Sequence, residues 1–178
     1  MEIVDVCCRR AVSRIELILA IAILGLVAAL TLPRLGTAAQ APDGRALLHE
    51  RLKILRVAIE RYHADHGVCP GRDAGISAAD CSAATLVAQL TQFTNEQGGS
   101  SPVRAGGHAF GPYLRDGIPT CPVPPCAGLT GMHIIAPGGA LRYSPAARAA
   151  GWLYDCDTGQ IEPNSDAVDR DGRAYNTY

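Results

Sequence analysis

The sequence has almost no excess charge of either sign. Its 16 Lys and Arg against 17 Asp and Glu give a formal net charge of −1 over 178 residues, and runs of Lys or Arg are absent. A nucleic-acid-binding surface needs a basic stripe that neutralises phosphates, so the composition predicts no nucleic-acid partner. Internal repeats and low-complexity tracts are also absent, which argues against repeat architectures.

Enzyme motifs are missing as well. The sequence contains no G-x-S-x-G, no P-loop and no dinucleotide-binding glycine motif. Gly106 and Gly107 precede His108, but no nucleophile or base stands beside them, so this tripeptide is interpreted as a turn. The sequence therefore predicts a protein that is not an enzyme and that needs no cofactor, with calcium as the one exception considered below.

What the sequence does have is one long apolar run, Ile15 to Leu32, with a single charged residue at its second position, Glu16. Its eighteen residues would extend roughly 27 Å as a helix, close to the thickness of a bilayer core. Three arginines precede the run, Arg9, Arg10 and Arg14, and one follows it, Arg34. The positive-inside rule then predicts a single-pass span with the N-terminus in the cytoplasm and the rest exported.

A secretory signal peptide is the alternative interpretation of this run, because it also begins with basic residues. The run is long for such a peptide, and Pro33 and Arg34 follow it where a small-x-small cleavage motif is expected. The small residues Thr37 to Ala39 keep the alternative open.

The presence of Glu16 in the apolar run requires an explanation, because an ionised carboxylate at a bilayer centre costs roughly 2.5–3.5 kcal/mol, and less near an interface. One interpretation is a side chain that reaches back to the lipid headgroups. Another is that Glu16 meets a positive charge supplied by a second subunit. The residues around it favour the second interpretation.

The segment Ala11 to Leu19 resembles the class III signal of type IV pilins and of type II secretion pseudopilins: a basic leader, a small residue, a hydrophobic residue, Ser or Thr, and then Glu. Ala11 stands where the family prefers Gly, and Arg14 where it has an apolar residue. The resemblance implies that a prepilin peptidase cuts between Ala11 and Val12 and methylates Val12. Glu16 would then neutralise the terminal amine of a neighbouring subunit during assembly.

Three segments farther along the chain extend the resemblance. Leu55 to Gly71 is similar to the end of the long pseudopilin helix and the turn after it. Gly111-Pro112-Tyr113-Leu114, with Ile118-Pro119, resembles a G-P-Y-L segment of major pseudopilins, and Gly151-Trp152-Leu153-Tyr154, with Thr158-Gly159, resembles their G-W-x-Y strand and turn. The resemblance thus covers most of the chain and implies a type IV pilin-like fold.

The chain is expected to divide into four parts: a leader, residues 1–11; a transmembrane and assembly helix, 12–35; an amphipathic stalk helix with a kink, 36–67; and an exported globular head, 68–178. Gly25 and Pro33 stand where the family's helix carries Gly and Pro. Pro42 lacks a backbone donor and disfavours helical angles at the preceding residue, so we expect a kink between residues 36 and 44.

The stalk helix has an apolar stripe with helical spacing, which predicts one buried face: Leu48, Leu52, Leu55, Ile59 and Tyr62. This stripe is expected to pack on a sheet. A second helix is predicted from Ser82, its N-cap, to Gln97, with Gly98-Gly99 ending it. Strands are predicted at Met132–Ala136, Leu141–Ser144, Trp152–Cys156 and Gln160–Pro163, the last two as a hairpin. The fold class is therefore α+β, with a small antiparallel sheet of three or four strands against the long helix.

The cysteines are interpreted as those of an exported protein. Cys7 and Cys8 lie in the leader, and five more follow it. In an oxidising compartment the spacing favours two short-range disulfides, Cys69–Cys81 and Cys121–Cys126, which leaves Cys156 unpaired. Each would close a short loop and contribute roughly 2–3 kcal/mol.

Two metal sites are considered. His63, His66 and Cys69 have a spacing that zinc accepts, but exposed histidines at a helix end are far more common, and we predict that arrangement. The acidic tail offers oxygen ligands of the kind that calcium takes, and the resemblance also points to calcium near the C-terminus. The candidate calcium ligands are Asn164, Asp166, Asp169 and Asp171, with a solvated acidic turn as the alternative.

Three functions remain open. The first is a pseudopilin that polymerises into the periplasmic filament of a type II secretion system, anchored in the bacterial inner membrane with its head in the periplasm. Its partners would be the lipid bilayer, copies of itself, other pseudopilins, the prepilin peptidase and the inner-membrane assembly platform. The second is a type IV pilin or minor pilin for adhesion, motility or DNA uptake. The third is a non-polymerising binding module on a simple signal anchor.

Overall fold

The computed structural model describes residues 44–72 and 81–178. The leader, the apolar run and the kink region therefore lie outside the described residues, and with them the candidates Ala11, Val12, Glu16, Gly25, Pro33 and Pro42. Neither helix within the described ranges is both long enough and apolar enough to cross a membrane.

Helix α1 runs from Gly44 to His66 and carries the apolar stripe that its sequence predicts. The five stripe residues are buried, together with Ala58, at exposed fractions of 0–4%. They pack into one core with residues of the second helix and of the sheet. The stripe is buried because its spacing keeps these side chains on one side of the helix.

Helix α2 runs from Ala83 to Thr91, and Ser82 caps it as predicted, with its hydroxyl accepting the Thr85 N–H at 3.0 Å. The helix ends earlier than predicted, because the chain turns into a short antiparallel ribbon of β1, Phe93–Thr94, and β2, Ser100–Ser101. The Asn95 side chain closes the turn between them by accepting the N–H groups of residues 97 and 99. The predicted helix end at Gly98-Gly99 is therefore wrong, and these glycines belong to the turn.

The second sheet has three strands in the order β3, β4, β5: Gly131–Ile134, Ala150–Tyr154 and Ile161–Pro163. The hairpin of β4 and β5 is antiparallel, as predicted. Strand β3 instead pairs with β4 in parallel, so the expectation of a purely antiparallel sheet is wrong. Residues 135–149 form the crossover that a parallel pair requires.

The strand predicted at Leu141–Ser144 is also wrong, because this segment belongs to the crossover. Its backbone forms a hydrogen bond with a side chain instead of pairing with a neighbouring strand: the Ser144 N–H donates to Asn164 Oδ1 at 2.8 Å. A single turn of 3-10 helix, Tyr175–Thr177, follows the sheet. The fold class predicted from the sequence, α+β, is confirmed at this level, with a two-stranded antiparallel ribbon and a three-stranded mixed sheet.

Candidate functional site: the motif junction

Of the segments that resemble pseudopilins, the three that lie within the described residues are far apart in sequence and contact one another in the structure. We call this place the motif junction and define it by the residues that make these contacts: Tyr62, Asp65, His66, Pro70, Tyr113, Pro119, Trp152 and Tyr154. The first four come from the end of α1 and the turn after it, the next two from the G-P-Y-L region, and the last two from β4.

Two aromatic rings in contact, tilted by 34° to each other, lie at the end of α1. Tyr62 is 1% exposed, and its ring centroid lies 4.2 Å from that of His66, one turn later. The helix stops there because Gly67 has φ +72°, and its N–H closes the end by donating to the His63 carbonyl at 2.7 Å. The expectation that His66 is solvent-exposed is therefore wrong for this residue, since its imidazole packs among other aromatic rings.

The G-P-Y-L segment begins so close to the end of α2 that a side chain at its first position would not fit. Gly111 has φ +69°, and a Cβ there would lie 2.8 Å from the Gln92 carbonyl oxygen, so glycine is needed on both counts. Just beyond it, the N–H groups of Tyr113 and Leu114 both donate to the Leu90 carbonyl, at 3.0 and 2.8 Å. These bonds fix the segment to the C-terminal end of α2.

Tyr113 then reaches across to the end of α1. Its ring meets that of Tyr62 edge-on with centroids 5.5 Å apart, and its hydroxyl donates to Asp65 Oδ2 at 2.9 Å. Burial raises the pKa of Tyr113 well above its ordinary value, and the Asp65 carboxylate raises it further. The hydroxyl therefore keeps its proton and remains a donor.

His66 lies between Tyr113 and the ribbon. Its Nε2 is 2.9 Å from Thr94 Oγ1 and 3.2 Å from the Tyr113 hydroxyl, and the Phe110 ring lies edge-on at 5.1 Å. A hydroxyl beside an imidazole is the geometry of an activated nucleophile. Thr94 is 0% exposed, however, so a substrate has no access to it, and the contact is better suited to holding the elements together.

Strand β4 joins the other two segments through its aromatic side chains. Trp152 is 0% exposed and donates its indole N–H to the Pro119 carbonyl at 2.8 Å. Tyr154 is equally buried and donates its hydroxyl to the Pro70 carbonyl at 3.0 Å. Large buried aromatic residues usually find such a partner for their polar atom, and here each partner belongs to a different motif.

Gln89 is a buried residue of this region that sequence reasoning missed. Its Oε1 accepts the Gly71 N–H at 2.6 Å, and its Nε2 donates to the carbonyls of Arg72 at 2.7 Å and Gly98 at 2.9 Å. One amide thus ties α2 to the turn after α1 and to the ribbon turn. Its position on the apolar face of α2, between Leu86 and Leu90, is the pattern from which a buried amide can be inferred.

The disulfides agree with the prediction for one pair and correct it for the other. Cys121 and Cys126 are bonded as expected, with Cα atoms 5.6 Å apart. Cys81 is bonded to Cys156, with Cα atoms 6.5 Å apart, so the predicted Cys69–Cys81 pair is wrong. The fold brings the end of β4 next to the start of α2, which sequence distance did not reveal.

The unpaired cysteine is accordingly Cys69 rather than Cys156. Its Sγ packs against Gly159 in the β4–β5 turn, 3.0 Å from the position that a Cβ would take there. Burial raises the pKa of the Cys69 thiol, and Arg72 only partly offsets this. The thiol is therefore protonated and poorly reactive at neutral pH.

The candidate calcium ligands are not gathered into one cluster. Asn164 is 3% exposed and uses its side chain to hold the crossover, while Asp166 is exposed. Asp169 Oδ1 accepts two backbone N–H groups, and the Arg45 guanidinium contacts Asp171 at 3.1 Å. Within residues 44–72 and 81–178, no three His, Cys, Asp or Glu side chains are grouped so as to hold a metal ion. A calcium site stays a prediction that these contacts do not support.

Comparisons of the chain with protein-family models, with curated proteins and with solved structures give no match. The functional argument therefore depends on the residues themselves and on the geometry described above.

Proposed function

We propose that the protein is a pseudopilin, a structural subunit that polymerises into the periplasmic filament of a type II secretion system. The observation that carries the proposal is the placement of Glu16: one acid, at the second position of an eighteen-residue apolar run, with Arg9, Arg10 and Arg14 shortly before it. A plain membrane anchor gains nothing from a charge at that place.

The assembly step follows from electrostatics. Cleavage after Ala11 creates a new amine at Val12, and the Glu16 carboxylate of one subunit neutralises that amine on the next. In a medium of low dielectric constant the attraction is much stronger than in water, and an unpaired partner is strongly penalised. The ion pair therefore stabilises a subunit that adds in the register that brings the two charges together, and a subunit in any other register is destabilised.

The motif junction supports the proposal in a second way. The segments through which the chain resembles pseudopilins bond one another, as in Tyr113 to Asp65, Trp152 to Pro119 and Tyr154 to Pro70. Bonds between these segments hold the head together, which is a physical reason for a shared fold. The resemblance therefore extends beyond the apolar run, which any membrane anchor has, to the exported part.

The two disulfides support export of the head. Disulfides persist in oxidising compartments such as the bacterial periplasm and are rare in the cytosol. Cys81–Cys156 and Cys121–Cys126 both lie C-terminal to the apolar run, on the side that the arginine bias predicts to be outside the cytoplasm. We accordingly propose a head in the periplasm and an anchor in the inner membrane.

Cell fractionation tests the choice between a pseudopilin and a surface pilin. We expect the protein to remain in the cell envelope. When the secretion assembly platform is deleted, we expect the protein no longer to be found in periplasmic filaments. The matched control is an envelope protein with a plain signal anchor, whose fractionation the deletion leaves unchanged. Recovery of the protein in fibres sheared from the cell surface would identify a type IV pilin instead.

A further inference from the structure

His66 lies where the loop after β2 is attached to the rest of the head. The loop, Pro102 to Pro112, is held there by two backbone hydrogen bonds between Thr94 and Phe110, at 3.0 and 3.1 Å. Both residues of this bridge contact the His66 imidazole, Thr94 through its hydroxyl and Phe110 through its ring. The imidazole thus touches both sides of the attachment.

The two nitrogens of His66 have different surroundings. Nε2 has the hydroxyls of Thr94 and Tyr113 within hydrogen-bond distance, whereas Nδ1 is buried with no hydrogen-bond partner among the described residues. A neutral imidazole with its proton on Nε2 suits this site, since only a lone pair is then left unpaired. A second proton on Nδ1 creates a buried donor with no acceptor in hydrogen-bond geometry, and the nearby Glu96 carbonyl only partly offsets the cost.

The groups around His66 oppose its protonation on balance. Burial lowers the pKa of His66, while the Asp65 carboxylate and the Glu96 carbonyl favour the charged form without outweighing burial. The Glu96 carbonyl favours the charged ring from nearby, although it does not form a hydrogen bond with His66 Nδ1. The other titratable groups facing the ring are the phenols of Tyr62 and Tyr113, and Tyr113 has a raised pKa. His66 therefore changes charge at a pH below the ordinary histidine pKa.

We propose that His66 is a proton-operated latch: its protonation releases the Pro102–Pro112 loop and β1 from the end of α1. The sign follows from linkage. Because the folded state prefers the neutral ring, the contact is fully stable above the ordinary histidine pKa of about 6.5 and weakens as the pH falls below that value. One proton changes the opening equilibrium by at most about tenfold per pH unit. The latch is independent of the filament proposal.

Hydrogen–deuterium exchange on the full chain in detergent micelles tests the latch between about pH 5 and pH 8. After correction for the chemical exchange rate, we expect amides of residues 93–113 to open more often as the pH falls below about 6.5, by up to tenfold per unit. Amides in the middle of α1 serve as the internal reference, and their corrected opening is expected to stay constant.

The His66→Gln variant keeps a polar side chain that does not titrate, and it is expected to remove the pH dependence of loop opening. His63→Gln, a change of an exposed histidine on the same helix, is the matched control and is expected to keep it. An NMR titration of the wild-type His66 ring gives a test that needs no variant. The latch is wrong if that ring titrates at or above the ordinary histidine value, or if loop opening in His66→Gln follows pH as before.

Discussion

Glu16→Ala is expected to block incorporation of the subunit into filaments while leaving membrane insertion and leader cleavage intact. Insertion is unaffected because removing a charge makes the run more apolar. In the proposed pairing, the variant leaves the amine of the neighbouring subunit without its partner, and breaking a buried ion pair in this way costs roughly 3–5 kcal/mol. That penalty lowers the affinity of each added subunit by roughly 100-fold or more.

The measurement is co-expression of tagged Glu16→Ala with wild-type subunits, followed by isolation of filaments and quantification of the tag. Leu17→Ala is the matched control, because it changes the adjacent residue of the same helix and keeps the acid. It is expected to enter filaments at the wild-type level. Equal incorporation of the Glu16→Ala subunit would show that the carboxylate has no pairing role.

Loss of the Cys81–Cys156 disulfide is expected to cost more stability than loss of Cys121–Cys126. The two bonds join residues 75 and 5 positions apart, so the first restricts the unfolded chain far more. In the loop-entropy model these separations correspond to about 4.5 and about 2 kcal/mol. The Cys81→Ser/Cys156→Ser double variant should therefore lower the free energy of unfolding about twice as much as Cys121→Ser/Cys126→Ser.

Chemical denaturation of the full chain in detergent measures both variants, with fluorescence of the single Trp as the probe. Trp152 suits this purpose because it is 0% exposed in the folded head. Peptide mapping without reduction checks the pairing itself. A Cys69–Cys81 peptide, or equal costs for the two double variants, would contradict the disulfide arrangement described above.

Sequence reasoning succeeded where a pattern depends on nearby residues. The stripe from Leu48 to Tyr62 is buried, Ser82 caps α2, and the turn at residues 157–159 joins two antiparallel strands. Each of these follows from helical spacing, from capping chemistry or from a turn between two apolar runs. No knowledge of the rest of the fold was needed.

It failed where the outcome depends on distant parts of the chain. The apolar period of α2 continues to Phe93, but pairing with Ser100–Ser101 makes that residue part of a strand. The direction of β3 depends on the path of residues 135–149, and the partner of Cys81 on where β4 ends. Local propensity carries no information on such contacts.

The motif junction was only partly predictable. The resemblance points to Tyr113, Trp152 and Tyr154, but nothing in their local sequence says that they meet the end of α1 and the turn after it. The sequence predicts an exposed His66 because histidines at a helix end usually face solvent, and a helix position shows only which face a residue occupies. Its neighbours Thr94 and Phe110 come from segments that contact α1 only after folding.

The mass of the intact protein extracted from bacterial membranes tests the central proposal most directly. A pseudopilin is expected to have lost residues 1–11 and to carry one added methyl group on Val12, so that Glu16 becomes the fifth residue of the mature chain. A mass that corresponds to an unmethylated chain still beginning at Met1 would contradict the proposal, because the amine that Glu16 is meant to neutralise would then not exist at Val12.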